Sequence, residues 1–430
     1  MEQTQHRKHL SPLYIAFIAA LGSGFEYYDF VIYGMMVNYL SEVFFPTSTE
    51  FLRVAQAFSI FSIGYLVRPI GGAFFGVISD CYGRKQSFIT IMALMAFSTL
   101  FIGCLPTYQM AGSFAPLMLV ALRLLQGISF GAELPSAATI VVESSHQRVL
   151  GRACGLVLSG TSLGALMATF VLAALSSFFT DQEIIAYAWR LPFIFGGVLA
   201  WVALYSRKHL YETEEFLQQA CKTREFLQQP KCFLRILKEH STSLLIALGL
   251  TFLLATLIII HVYSPVFLSK YFGYSSPMIY RSMSIGMAFS FLFMILFGHV
   301  ADHVDKKQLL FYGMVGIFFS ASFMNGLLKM GDPTFLTLFF ITYQFWIAVF
   351  FVSYLPIVSR LFPTKVRCSA LALTYNAAFT IASTIPTIGT VFFSDSASPA
   401  FLLYFLGIAL GIGAFSLYTL QRLYADPYAY

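Results

Sequence analysis

Five charged residues sit in sequence that is otherwise almost wholly apolar: Glu26, Asp29, Arg68, Arg123 and Glu133. A charged side chain at the centre of a bilayer costs at least about 2.5–3.5 kcal/mol, so such groups face a bundle interior and carry a function. These residues can do proton chemistry. Burial pushes a carboxylate toward its neutral form, and a nearby guanidinium holds it charged. Glu26 and Asp29 are three positions apart and share a helical face with Tyr33. At about 1.5 Å of rise per residue, Asp29 and Arg123 fall in the same half of an apolar layer and could meet across a bundle. Glu133 lies nearer the opposite boundary and shares a face with Gln126. Three readings fit Asp29 and Arg123: a carboxylate that loads and releases a proton, a fixed ion pair that orients two helices, or a substrate ligand.

The elements that must position these groups are long apolar helices. Of 430 residues, 58% are apolar and 11% are charged, whereas a soluble domain carries roughly 25% charged residues. Twelve spans are predicted, at 13–38, 54–79, 86–105, 114–142, 150–178, 190–206, 243–268, 278–300, 308–328, 334–360, 366–393 and 399–421. The runs do not alternate in polarity over about ten residues, which excludes a β-barrel. Nineteen of the 26 Lys and Arg residues fall in the N-terminal tail, the even-numbered connections and the C-terminal tail. Five fall in the odd-numbered connections and two, Arg68 and Arg123, within spans. This bias predicts cytoplasmic termini. It also accounts for the net charge of +6 with no nucleic-acid partner. The first apolar run is too long for a cleavable leader.

A repeat divides the chain. Gly76-x3-Asp80-x2-Gly83-Arg84-Lys85 follows span 2, and Gly298-x3-Asp302-x2-Asp305-Lys306-Lys307 follows span 8. Equivalent loops at equivalent places predict two related six-helix halves, 1–206 and 241–430, of the kind that rock about a central site. The stretch 207–240 reads as a polar cytoplasmic linker. In each loop the Asp is expected to bind the positive end of a neighbouring helix and hold the cytoplasmic side shut. Gly76, Asp80, Gly83, Arg84, Lys85, Gly298, Asp302 and Lys306 are therefore the gating candidates. The plainer reading is that the basic loops set topology alone. Gly151-x3-Gly155 and Gly160-x3-Gly164 in span 5 permit close helix packing.

The segment Arg68-Pro69-Ile70-Gly71 running into the Gly76–Lys85 loop resembles the loop signature of the major facilitator superfamily. It resembles more narrowly the metabolite:proton symporter branch. Glu26-Tyr27-Tyr28-Asp29-Phe30, Arg123 with Gln126, Gly127 and Glu133, and Phe362-Pro363-Thr364-Lys365-Val366-Arg367 followed by Tyr375-Asn376 carry that likeness. Ala132, Leu134, Pro135 and Ser136 depart from it where the branch usually has a second Gly and a Trp. The resemblance implies an all-α, twelve-helix, proton-coupled symporter in a bacterial inner membrane that carries a small organic acid or zwitterionic metabolite into the cytoplasm by alternating access. On that reading Asp29, Arg123, Glu26 and Glu133 are the proton-coupling candidates. Arg68, Gln126, Tyr33, His261, Tyr263, Tyr375 and Asn376 are the substrate-side candidates.

Other classes fit less well. The six cysteines and the His, Asp and Glu residues show no metal-ligand spacing, and no nucleophile–base set or phosphate loop is present, so an enzyme is not expected. Neither a cofactor nor a metal is expected. The expected partners are protons, a small solute and the lipid bilayer, with the chain acting as a monomer. The rival readings are movement of a larger anionic compound such as a siderophore, and a transporter-like sensor without flux. Because the rare charges concentrate in spans 1, 2 and 4, the first half is expected to handle the proton and the second to shape the pocket.

Overall fold

Residues 12–72, 74–75, 84–131, 133–207, 238–363, 366–392 and 401–423 are described in the computed structural model. Their regular structure is helical. In lipid every backbone N–H and C=O must find a partner within the protein, and a helix does this without a neighbour. Among the described residues nine helices are long and apolar enough to cross a membrane alone. Asp181–Ala188 with Arg190–Trp201, bent by 51°, makes a tenth, and Thr90–Gly103 and Phe114–Phe130 are the shorter helices of spans 3 and 4. Exposed apolar side chains such as Phe170, Phe319 and Phe415 form the outer surface, which suits contact with lipid tails.

Several spans are interrupted where a continuous helix is predicted. Span 1 runs from Pro12 to Met35 and resumes as Val37–Phe44. Span 4 divides into Phe114–Phe130 and Glu133–Ser144, and span 11 into Arg367–Ala382 and Ile385–Phe392. Proline explains part of this. A proline has no N–H to give the carbonyl four residues earlier. Pro69 withholds a donor from Tyr65, Pro135 from Gly131 and Pro265 from His261. Each of these oxygens takes a side-chain donor instead. Thr380 Oγ1 donates to the Tyr65 oxygen at 2.9 Å, Asn376 Nδ2 to the Gly131 oxygen at 2.8 Å, and Ser264 Oγ to the His261 oxygen at 2.7 Å. The first two donors come from span 11, so the proline positions of the first bundle become docking points for the second.

The two bundles, spans 1–6 and 7–12, meet at both ends. At the end bearing the basic connections, span 5 packs on span 8 with Gly151 and Gly155 against Gly298. A Cβ on Gly155 would lie 2.8 Å from the Gly298 Cα, closer than real Cβ atoms come to backbone, so a glycine there allows this approach. Midway, the hydroxyls of Ser162 and Ser290 bond at 3.0 Å. At the far end Tyr280 Oη donates to the Met35 oxygen at 2.7 Å, and Tyr263 packs edge-on against Phe58 with centroids 5.2 Å apart. Within the first bundle, Gly160 and Gly164 of span 5 abut the backbone of Ala20 and Gly24 in span 1. Stretch 208–237, which holds most of the expected linker, lies outside the described residues.

Candidate functional site

Asp29 is buried on the side of span 1 that faces spans 3 and 4. Its Oδ1 accepts from Thr99 Oγ1 at 2.5 Å and its Oδ2 from Gln126 Nε2 at 2.7 Å. Gln126 Nε2 also donates to Thr99 Oγ1 at 2.8 Å. Arg123 Nη1 donates to Gln126 Oε1 at 2.7 Å. The directions are fixed by chemistry. A guanidinium only donates, so the amide oxygen of Gln126 must face Arg123 and its nitrogen must face Asp29. Asp29 and Arg123 therefore do not make the direct contact expected from their depth: the Gln126 amide stands between them. Arg123 and Gln126 are three apart on one helical face, and the guanidinium is drawn over the Tyr33 ring, 4.0 Å from its centroid. Tyr33 also donates from Oη to the Ala57 oxygen at 3.2 Å.

Arg68 lies in a separate enclosure. Its guanidinium carbon is 4.0 Å from the Tyr65 centroid, 4.7 Å from Phe130 and 5.1 Å from Phe30. Rings attract a cation by their quadrupole, more strongly when water is excluded. Tyr375 of span 11 lies within electrostatic reach of Arg68 and Glu26, and it packs on Phe379, which in turn stacks on Tyr65. Asp29, by contrast, looks into the first bundle. Glu133 opens the helix Glu133–Ser144, and its side chain lies outside the described residues.

The loop candidates divide by what is described. Gly76, Asp80 and Gly83 lie outside the described residues, as do the side chains of Arg84 and Lys85, which open the helix Arg84–Gly103. In the second loop Asp302 reaches the first turn of Leu150–Phe178. Its Oδ1 accepts from the Gly151 N–H at 2.6 Å and its Oδ2 from Arg152 Nε at 2.7 Å. The end of a helix that presents free N–H groups favours a carboxylate. Beside it, Arg367 Nη1 bonds Glu143 Oε1 at 2.9 Å. Both contacts join the two bundles. Lys306 opens the helix Lys306–Leu328, whose N-terminus Asp305 caps through the Lys307 N–H at 2.9 Å.

Between the bundles lies a cavity of about 30 Å³. Tyr27, Thr161, Ser162 and Ala165 line it from the first bundle. Leu257, Ile258, His261, Met287, Ser290, Met294, Gln344, Ile347 and Phe351 line it from the second. A water needs roughly 10–15 Å³ of such space, so the cavity as it stands has room for a few waters at most. Of the seven substrate-side candidates, His261 lines this cavity. Tyr33 and Gln126 belong to the Asp29 network, Arg68 and Tyr375 to the ring enclosure, and Asn376 to the Gly131 contact. Tyr263 packs on Phe58, because two residues along a helix turn the side chain to the far side. Sequence reasoning missed Thr99, Tyr27 and Ser290. A hydroxyl in an apolar helix carries no signal of its partner, although Tyr27 stands beside the singled-out Glu26.

Two helical bundles around a central cavity, with buried charge in the first and paired contacts at the basic end, define a secondary transporter. The Major Facilitator Superfamily profile matches residues 19–386, and the chain belongs to that family. A glycine betaine/proline/ectoine/pipecolic acid transporter of Dickeya dadantii is 32% identical, over 92% of this chain and 80% of that protein. A proline/betaine transporter of Escherichia coli is 30% identical, over 94% and 82%. Among solved structures, a proton:xylose symporter bound to 6-bromo-6-deoxy-D-glucose superposes with a TM-score of 0.75. It is 17% identical, covering 95% of this chain and 94% of that one, and shows the shared fold.

Proposed function

We propose that this protein is a proton-coupled symporter that brings a small zwitterion or organic acid into the cytoplasm by alternating access between its bundles. The observation that carries the proton part is the position of the Thr99 hydroxyl. It lies 2.5 Å from Asp29 Oδ1 and 3.0 Å from the Met95 oxygen. With Asp29 ionised, Thr99 donates to the carboxylate. With a proton on Oδ1, the same hydroxyl turns to donate to Met95 and accepts from Asp29 while still accepting from Gln126. Every group stays bonded in both states, as a site that loads and releases a proton requires. Loading removes the negative charge that faces Arg123 across Gln126, freeing the guanidinium and the ring it covers to shift.

The relatives named as proline and betaine transporters support a small zwitterion over a siderophore. The basic connections support a bacterial inner membrane with both termini cytoplasmic. On that orientation Asp302–Arg152 and Glu143–Arg367 close the inner side, and Asp80 takes the matching role in the first bundle. We take Glu26 and Glu133 as further coupling candidates, residues 1–206 and 241–430 as the moving units, and the monomer as the working form. The test is uptake into proteoliposomes under an imposed pH gradient. Asp29→Asn is expected to keep exchange of labelled for unlabelled solute and to lose accumulation against a gradient. Undiminished accumulation by this variant would sink the coupling role, and absence of exchange by the native protein would favour a sensor.

A further inference from the structure

The central cavity carries a polar group that the proton machinery does not use. His261 is 4% exposed and its Nε2 has no hydrogen-bond partner. Its Nδ1 lies 3.4 Å from Gln344 Nε2. An amide nitrogen can only donate, so Nδ1 is the acceptor and the ring proton sits on Nε2. A buried N–H without a partner is costly. Here it belongs to a ring that lines the cavity and is packed in place by Tyr343 and Phe340.

Among the described residues that line this cavity there is no Lys, Arg, Asp or Glu. Three of its other hydroxyls, on Thr161, Ser162 and Ser290, are already engaged. Thr161 Oγ1 donates to the Leu158 oxygen at 2.7 Å, and Ser162 and Ser290 bond each other. The remaining wall from the second bundle is aliphatic, aromatic and thioether. A lone charge buried against such a wall is strongly disfavoured. A solute that carries its own counter-charge lowers that cost while offering an acceptor to the ring N–H.

We propose that His261 is the specificity-determining residue of the cavity, its Nε2–H binding a carboxylate oxygen of a net-neutral zwitterion, with Gln344 as the positioning residue that fixes the tautomer. This rests on the transport reading given above. It selects between the two solute classes of that reading, because a net anion would meet no fixed positive charge among the described lining residues. Charge-assisted hydrogen bonds of this kind are worth enough to change affinity by about ten- to a hundredfold.

The test is proteoliposome uptake of matched probes. Glycine betaine and L-proline carry the carboxylate; choline and L-prolinol replace it with an alcohol. The native protein is expected to take up at least one carboxylate probe and to exclude its alcohol counterpart. His261→Leu should raise KM for that probe about ten- to a hundredfold with kcat little changed. His261→Gln keeps an N–H donor and should recover part of the loss. Gln344→Met should raise KM by a smaller factor, and thermal unfolding of the purified variants reports whether each one folds. An unchanged KM in both His261 variants, or equal uptake of alcohol and carboxylate probes by the native protein, overturns the anchor and leaves the transport reading intact. Absence of flux for all four probes, with pH-gradient uptake of a net anion such as succinate by the native protein, overturns the anchor and leaves the transport reading intact; absence of flux for the four probes and the anion alike overturns both.

Discussion

Asn376 of span 11 donates from Nδ2 to the Gly131 oxygen at 2.8 Å, and Gly131 is the residue whose helical donor position is held by Pro135. The second bundle thus grips the first at a carbonyl that proline has made available. The Oδ1 of Asn376 has no partner and is buried, so the residue is held for its donor alone. Gly72 stands against both groups: a Cβ there would lie 2.9 Å from the Gly131 oxygen and 3.1 Å from Asn376 Nδ2.

Asn376→Leu should therefore lower the melting temperature and open the basic end. Loss of a buried partner costs about 1–3 kcal/mol. Pro135→Ala restores an N–H that can serve the Gly131 oxygen, so the two changes should be non-additive, with Asn376→Leu milder in the Pro135→Ala background. Thermal unfolding of the four proteins measures the cycle. Strict additivity would show that the proline plays no part in the contact.

Thr99 gives a sharper check on the proton reading. Thr99→Val keeps the shape and removes the hydroxyl that serves Asp29 in both protonation states, whereas Thr99→Ser keeps it. Gradient-driven accumulation should fall at least about tenfold for the valine variant, the equivalent of about 1.4 kcal/mol, and stay near native for the serine variant. Exchange without a gradient should persist in both. Equal accumulation in the two variants would remove Thr99 from the mechanism.

The twelve spans were legible in sequence because hydropathy and loop charge act over twenty residues at a time. The rare charges were legible because lipid penalises each one singly. What was hidden depended on the direction of single side chains. Asp29 and Arg123 were expected to touch, yet Gln126, one turn from Arg123, comes between them. His261 and Tyr263 looked alike as polar residues of span 7, but only one can face the cavity. The loss of donors at Pro69 and Pro135 was readable, but not that Thr380 and Asn376 would supply them, since those contacts cross the chain by 315 and 245 positions. The loop repeat was plain, and its second copy places Asp302 at the start of span 5, while Asp80 lies outside the described residues.

Arg68 offers a test of shape against charge. Its guanidinium lies among Tyr65, Phe130 and Phe30. A planar delocalised cation can stack on such rings, and an ammonium cannot do so equally. Arg68→Lys keeps the charge and should still destabilise the protein by roughly 0.5–2 kcal/mol, the range of a cation–ring contact. Arg68→Met, which keeps bulk and removes charge, should cost more if charge matters to Glu26 and Tyr375. Thermal unfolding ranks the three proteins, and a lysine variant as stable as the native one would mean that the rings merely fill space.

The basic end is held by two unlike pairs, and their geometry says which one matters more. Asp302 has 1% of its side chain exposed and binds both a backbone N–H and Arg152, whereas Arg367 and Glu143 are 14% and 24% exposed. Exposed ion pairs contribute about 0–1 kcal/mol. A buried carboxylate on a helix N-terminus contributes more, and its loss leaves the Gly151 N–H unserved. Asp302→Asn keeps the size but can offer only one oxygen to the Gly151 N–H and Arg152 Nε. It should shift the protein toward opening at this end, read as faster labelling of a cysteine placed at Ser290 on the central seam. Glu143→Gln should change that rate by less than about threefold. If Glu143→Gln opened the end as far as Asp302→Asn does, closure would rest on net charge between the bundles and not on the seating of Asp302 against span 5.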